Sequence, residues 1–425
     1  MHRFRGRVSA STIYLIYSGA SALFFALIVT VNLVYQVEIA KLTPLQLVLV
    51  GTGLEAVCFI CQIPTGVLAD VYSRRLAVII GTLIVGVGFV IEGSFPHFAT
   101  IVLAQGLFGV GATLTDGAEQ AWIAGEVGEE RVGSIFLRSS QVGLLGGLVG
   151  AALSAILANI RLNVPILIGA AAIIGIAVFL IFFMPEDGFQ PTPKEDRQSW
   201  RQMGKTFRDG LRLVRIRPVL GLILLVGLFY GLSSEGFDRL SIAHFLSDFT
   251  FPTLWLLKPV TWFGLFTVAG TLLSLGGTEF IRRTVHFDNQ RMITRALFWV
   301  NAVGVLSLLV FGLTGNFPFA VAAYLGYRCC RSVGNPIYTT WLTQHIDAKV
   351  RATVISMSGQ VDALGQIVGG PPVGYIGNVV SLRAAMVATS IILSPVLLLF
   401  ALVSKRSKTG PADDIHQTLV EQAPV

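Results

Sequence analysis

Charge is scarce in this chain: Asp, Glu, Lys and Arg make up 13% of its residues, about half the share of an ordinary soluble domain. That scarcity excludes a water-facing surface wrapped around one core. Cysteine is thin as well, and Cys58, Cys61, Cys329 and Cys330 all lie within apolar runs. Cys58-x-x-Cys61 lacks the second ligand pair of a zinc site and the βαβ setting of a redox motif, so packing explains it. The six histidines stand singly, and neither HExxH nor GxSxG occurs. No metal, no cofactor and no enzymatic reaction are expected.

Apolar sequence fills the space that charge leaves, with 53% hydrophobic residues and a mean hydropathy of +0.72. A membrane-spanning helix needs about 20 mostly apolar residues. Runs of that length fall at 11–37, 45–69, 76–95, 97–123, 132–158, 164–184, 218–246, 254–279, 291–314, 317–345, 352–378 and 381–404. The expectation is an all-α integral membrane protein with twelve transmembrane helices. Lys and Arg then set the orientation. Arg3, Arg5, Arg7, Arg74, Arg75, Arg131, Arg138, the basic run within 194–217, Arg282, Arg283, Lys349, Arg351 and Lys405 share one side, whereas Lys41, Arg161, Lys258 and Arg383 occupy the other. Both termini are therefore expected in the cytoplasm, and the net charge of +7 suits anionic lipid, with no bearing on nucleic acid. The first run is too long for a cleaved leader and is expected to stay as a helix.

Ionisable groups inside such runs are costly, about 2.5 to 3.5 kcal/mol each at mid-membrane, and usually face a cavity or a partner. The run 97–123 holds Asp116 and Glu119. As one helix it would place them on a shared face with Gln120 nearby, about 15 and 10 Å from its inner end. About 219 residues on, 322–344 resembles it, with Trp341 answering Trp122 and Arg328 and Arg331 replacing the acids. The chain looks duplicated. Asn32, Tyr35 and Gln36 form a stripe suited to an interior path or to helix–helix bonding. Glu55 sits roughly 22 Å along its helix from Asp70.

Gly66-Val67-Leu68-Ala69-Asp70-Val71-Tyr72-Ser73-Arg74-Arg75 resembles the loop signature G-x-L-a-D-r-x-G-r-(k/r) between helices 2 and 3 of the major facilitator superfamily, with Val71 and Ser73 departing from it. Gly117-Ala118-Glu119-Gln120-Ala121-Trp122 and 231–240 are similar to the fourth and seventh helices of its bacterial drug/proton antiporters, the tetracycline- and macrolide-type exporters. The resemblance spans about 8–404. It implies two pseudo-symmetric six-helix bundles, at 1–184 and 218–404, joined by a cytoplasmic linker at 185–217, in which Trp200, Met203, Phe207, Leu211 and Val214 recur at the spacing of an amphipathic helix, and the polar tail at 405–425 is expected to be disordered. It also implies a cytoplasmic gate of Gly66, Asp70, Arg74, Arg75, Arg138 and Arg351, in which Asp70 caps a helix of the other half. Gly204-Lys205-Thr206 lacks the upstream glycine and strand of a phosphate loop, which excludes ATP.

Within the spans the acids Glu55, Asp116, Glu119, Glu235, Asp238 and Asp362 outnumber Arg239, Arg328 and Arg331. Protons or a cation relieve such an imbalance. The reading is a secondary active transporter, a monomer in the cell (inner) membrane, whose small-molecule substrates are cationic or amphipathic and are exported against protons, as in multidrug efflux and antibiotic resistance. Asp116, Glu119 and Glu55 are the coupling candidates. Asn32, Tyr35, Gln36, Gln120, Glu235, Asp238, Arg239, Arg328, Arg331, Asn335, Asp362 and Gln366 are the cavity candidates. The Arg pair is expected to neutralise Asp362 or the helix 4 acids. Two other classes stay open: uptake of an anionic metabolite held by Arg328 and Arg331, and a membrane sensor that moves nothing.

Overall fold

The computed structural model describes residues 8–191, 208, 218–252, 259–285, 289–344 and 351–406, the side chains at a few helix ends excepted. The amphipathic helix expected in the linker and the polar tail beyond 406 lie outside them. Every regular element described is α-helical. These are α1 (Ala10–Glu38), α2 (Pro44–Val71), α3 (Arg74–Ser94), α4 (Phe98–Thr115), α5 (Ala118–Val127), α6 (Glu129–Leu157) and α7 (Asn163–Phe183). After the linker come α8 (Pro218–Asp248), α9 (Pro259–Thr284), α10 (Gln290–Leu313), α11 (Phe317–Gln344), α12 (Arg351–Val379), α13 (Leu382–Leu393) and α14 (Pro395–Arg406). Ten stretches of the described residues are long and apolar enough to cross a membrane. The long helices outside that set are α11, with Arg328 and Arg331, and α12, with Asp362 and two internal prolines.

Local signals set the helix ends. Ser9, Ser73 and Ser381 each accept a backbone N–H three residues on, and Thr43 forms a full capping box with Gln46. Such caps satisfy orphan amides that a bilayer would leave dry. The run at 97–123 departs from expectation. It is two helices, α4 and α5, because Asp116 turns extended and Gly117 adopts φ +75°, a conformation glycine takes without strain.

With no water to drive apolar faces together, close backbone approach holds membrane helices. Gly146 and Gly150 of α6 lie against the carbonyls of Gly19 and Leu23 on α1. Gly365 and Gly369 of α12 repeat this against the carbonyls of Leu228 and Leu232 on α8. Aromatic packing adds to it around Phe245, whose ring meets Phe249, Phe266, Phe311 and Tyr324 at centroid distances of 5.7, 5.2, 5.0 and 5.3 Å.

Helices before the linker pack mostly on one another, as do those after it, and α2–α12, α6–α9 and α2–α8 are the main crossings between them. These crossings gather at one end. Gly370, Gly374 and Gly377 of α12 meet Val48, Leu45 and Pro44 of α2, and Gly264 of α9 meets Ala155 of α6. Toward the opposite end Gly66 of α2, Gly133 of α6 and Gly359 of α12 face open space. Among the described residues the two sets of helices close on each other where residues 38–44 lie and leave open space where Gly66 lies.

A side chain at the tight positions has nowhere to go, since its neighbour is backbone. Gly150→Leu and Gly369→Leu should each destabilise by about 1–3 kcal/mol. Gly147→Leu, which enters open space, should leave the thermal unfolding midpoint in detergent unchanged.

Candidate functional site: a charged cavity and a buried carboxylate

A cavity of about 340 Å³ enters from the open end between α8, α10, α11 and α12. Tyr230, Asn301, Arg331, Asn335, Asp362 and Gln366 are among its walls. Tyr230 Oη donates to Asn301 Oδ1 at 2.9 Å and Gln366 Nε2 to Asp362 Oδ2 at 2.8 Å. Arg331 Nη1 bonds both Asp238 oxygens, at 2.6 and 2.8 Å. The expected neutralisation of Asp362 or the helix 4 acids by Arg331 is thereby corrected. Asp238 on α8 stands opposite Arg331, and Asp362 is occupied by Gln366.

One turn away Arg239 Nε pairs with Glu235 Oε2 at 3.3 Å. Gly51 of α2 lies directly against this pair and Gly370 of α12 against Glu235, so the pair is wedged where the two sets of helices meet. Glu55 of α2 faces the same group, its field acting on Arg239, Asp362 and Asp238. Four acids thus share two guanidiniums. Arg328 stands apart, at 3.4 Å from Tyr324 Oη and 5.7 Å from that ring, with no carboxylate in ion-pair reach among the described residues.

The break between α4 and α5 separates the other acids. Asp116 is exposed at the end of α4, and Gln120 is exposed on α5. Glu119, in the first turn of α5, turns toward the Tyr17 hydroxyl. The shared face expected for Asp116 and Glu119 therefore does not form. A carboxylate at a helix N-terminus is favoured by the dipole, and broken helices at membrane depth are tolerated where they line a cavity.

Asn32, Tyr35 and Gln36 do not line the cavity, which corrects their placement; they are buried around Glu92. Asn32 Nδ2 and Gln36 Nε2 donate to Glu92 Oε1 at 2.9 and 2.7 Å, Gln105 Nε2 donates to Oε2 at 2.7 Å, and Tyr35 Oη donates to the Glu92 carbonyl at 2.9 Å. Glu92 is missing from the membrane acids counted on the sequence, although it falls within the run 76–95. The signal that finds it is the coincidence of three amide side chains on neighbouring helices at the same depth.

At the open end the loop signature is tied within its own half. Ser73 Oγ donates to Glu186 Oε2 at 2.7 Å and the Arg75 amide to Oε1 at 2.9 Å, so Glu186 sits on the N-terminus of α3. Arg74 Nη1 reaches the Ala121 carbonyl and Arg75 Nη2 the Ile181 carbonyl, at 2.9 and 2.6 Å. Ser73, in place of glycine, also caps α3. Asp70 and the exposed Arg138 have no ion pair among the described residues. The side chains of Arg351 and Thr353, the expected targets of Asp70, lie outside the described residues.

Helical spans, a polar cavity entered from one end and carbonyl-seated glycines describe a membrane carrier. The family model "Major Facilitator Superfamily" matches residues 11–370, and the chain belongs to that family. It is 22% identical over 369 residues to YxaM of Bacillus subtilis (strain 168), an uncharacterized MFS-type transporter, covering 85% of this chain and 88% of that one. Among solved structures, the nucleoside transporter NupG superposes with a TM-score of 0.72 at 14% identity, covering 93% of this chain and 99% of the other. A bacterial homolog to human lysosomal transporter Spinster, inward-facing and unoccupied, gives 0.72 at 13% identity over 95% and 98%. A POT family transporter in complex with 5-aminolevulinic acid gives 0.70 at 11% over 93% and 96%. At such identities the likeness shows the fold alone; it is the family match that makes the chain a multi-pass membrane transporter of the superfamily.

The pairing of Arg331 with Asp238 makes a specific prediction. Arg331→Gln strands Asp238 and should cost about 1 kcal/mol, discounted because the two side chains are 40% and 39% exposed. Adding Asp238→Asn should restore most of the thermal stability, and adding Asp362→Asn should not. The reverse pattern in a double-mutant cycle would refute the assignment.

Proposed function

We propose that the protein is a proton-coupled exporter of cationic or amphipathic small molecules, a multidrug-type antiporter working by alternating access as a monomer in the cell (inner) membrane. Residues 1–184 and 218–404 act as two six-helix bundles joined by the cytoplasmic linker 185–217, with both termini and the tail 405–425 inside. On that orientation the open end around Gly66 is cytoplasmic, and the cavity is poised to take substrate from the cell. The observation that carries the reading is the sharing of two guanidiniums by Glu55, Glu235, Asp238 and Asp362. Even with Arg328 counted, such a site is short of positive charge, and a proton or a cationic substrate supplies it in turn. Asp116, exposed at the α4–α5 break and without an ion pair among the described residues, is the main coupling acid, with Glu119 sharing protons or touching the cation and Glu55 in reserve.

One observation favours a second reading. Arg328 has no acid in ion-pair reach among the described residues, and a free guanidinium holds carboxylates well. On that reading the substrate is an anionic metabolite.

Vesicles containing the purified protein discriminate these. Ethidium and tetracycline should dissipate an imposed pH gradient, and Asp116→Asn should abolish pH-driven accumulation while downhill movement persists. Intact pH-driven accumulation in Asp116→Asn removes that residue from the role. If sugar acids move instead and Arg328→Gln stops them, the anion reading stands; if no solute moves, a sensor remains.

Asp70→Asn tests the gate separately. In folded protein it should slow turnover severalfold with little change in thermal stability, and Arg351→Ala should give a weaker version of the same defect.

A further inference from the structure

We propose that Glu92, held by Asn32, Gln36 and Gln105, is a proton-binding site of the first half, separate from the charge cluster at Arg239 and reached from the end of the molecule that is closed here. The inference deepens the proton-coupled reading and rests on it for its consequence in transport.

The site is fully enclosed. Glu92 and Gln36 have no exposed surface, Gln105 has 4% and Asn32 7%. Each element packed against Glu92 contributes only neutral groups at contact. From α1 come Asn32, Tyr35 and Gln36; from α4 comes Gln105; from α7 comes Asn163, which bonds the Gly93 carbonyl at 3.2 Å. Arg239 of α8 acts on Glu92 through its field alone, since its contact is with Glu235. Among the described residues no Lys, Arg or His lies within ion-pair reach of Glu92. A carboxylate that stays charged in hydrocarbon needs a counter-ion, and Glu92 has none in reach among the described residues. An acid bonded only to amides can hold or release a proton, because amides serve as donors or acceptors by turning over.

Hydrogen-bond bookkeeping supports the same conclusion. As oriented, Gln36 Nε2 serves both Glu92 Oε1 and Asn32 Oδ1, the latter at 2.8 Å, and Gln36 Oε1 is buried without a donor. The ring Asn32–Gln36–Glu92 is therefore one hydrogen short. A proton on Glu92 Oε2 makes it an O–H donor, and turning the Gln105 amide over lets its oxygen accept from that hydroxyl while Glu92 Oε1 still accepts from Asn32 and Gln36. Both protonation states can thus be accommodated without moving a helix.

Place explains how the proton arrives. Glu92 lies two residues before the end of α3 and Gln36 two before the end of α1, at the end where α1 also packs on α8 and α9. The groups in contact with Glu92 all belong to the first half, so on this proposal water reaches the ring along α1 when that end opens. An acid loaded on that side and buried in this state is what exchange of an outside proton for an inside substrate requires.

The test is pH-difference infrared spectroscopy of the purified protein in lipid, alongside ethidium transport in the same vesicles. Carboxylic-acid carbonyl bands that appear reversibly as pH falls are expected in wild type, with one component, resolved in the wild-type minus Glu92→Gln double difference, lost in the variant. pH-driven ethidium accumulation in Glu92→Gln should drop to the level of protein-free vesicles while downhill ethidium movement remains. A double difference without a titrating component in folded Glu92→Gln, or intact pH-driven accumulation in that variant, overturns the proposal. If Glu92→Gln does not fold, Glu92→Asp decides: a band with shifted frequency and pH midpoint supports it, and an unchanged band overturns it. If wild type moves no ethidium at all, the export reading fails by itself, and the infrared result still decides the proton site.

Discussion

A bilayer gives a buried charge no water, so each ionised group within a span has to find its partner in the protein. The rest of this molecule depends on that constraint. It forces Arg331 onto Asp238, folds Arg239 back onto Glu235 and gathers three amides around Glu92. Where the constraint is not fully met, at the surplus acids beside the cavity and at Arg328, the structure has something left to bind.

Glycine placement makes those meetings possible. The Glu235–Arg239 pair fits between the two sets of helices because Gly51 has no side chain to meet it. The carbonyl-seated glycines of α6 and α12 do a related job, bringing α6 onto α1 and α12 onto α8 in corresponding places of the two halves. Helices on either side of the linker are thus held in the same way, though the charges they carry differ.

Much of the fold was legible in hydropathy, since a span is a property of one segment and its length. The run at 97–123 misled because Gly117 looks like any packing glycine; only its φ of +75° shows it ending a helix. The site was less legible for a related reason. Which acid an arginine meets depends on the rotation of two helices about their axes, and that rotation is set by contacts spread over both. Nothing near Arg331 in the chain points to Asp238, 93 residues away. Glu92 was hidden by its neighbours, whose amides carry no charge to draw attention to it.

The segment that follows α7 has a mechanical consequence. Pro185 accepts from the Trp122 indole at 2.6 Å, Glu186 holds the start of α3, and the Gly188 amide bonds Glu126 at 2.8 Å. The chain is thus stitched to the first half up to about residue 189, where Phe189 lies under the Arg74 guanidinium. A force passed along the chain from beyond that point therefore acts on α3 and α5, and not on the last turn of α7.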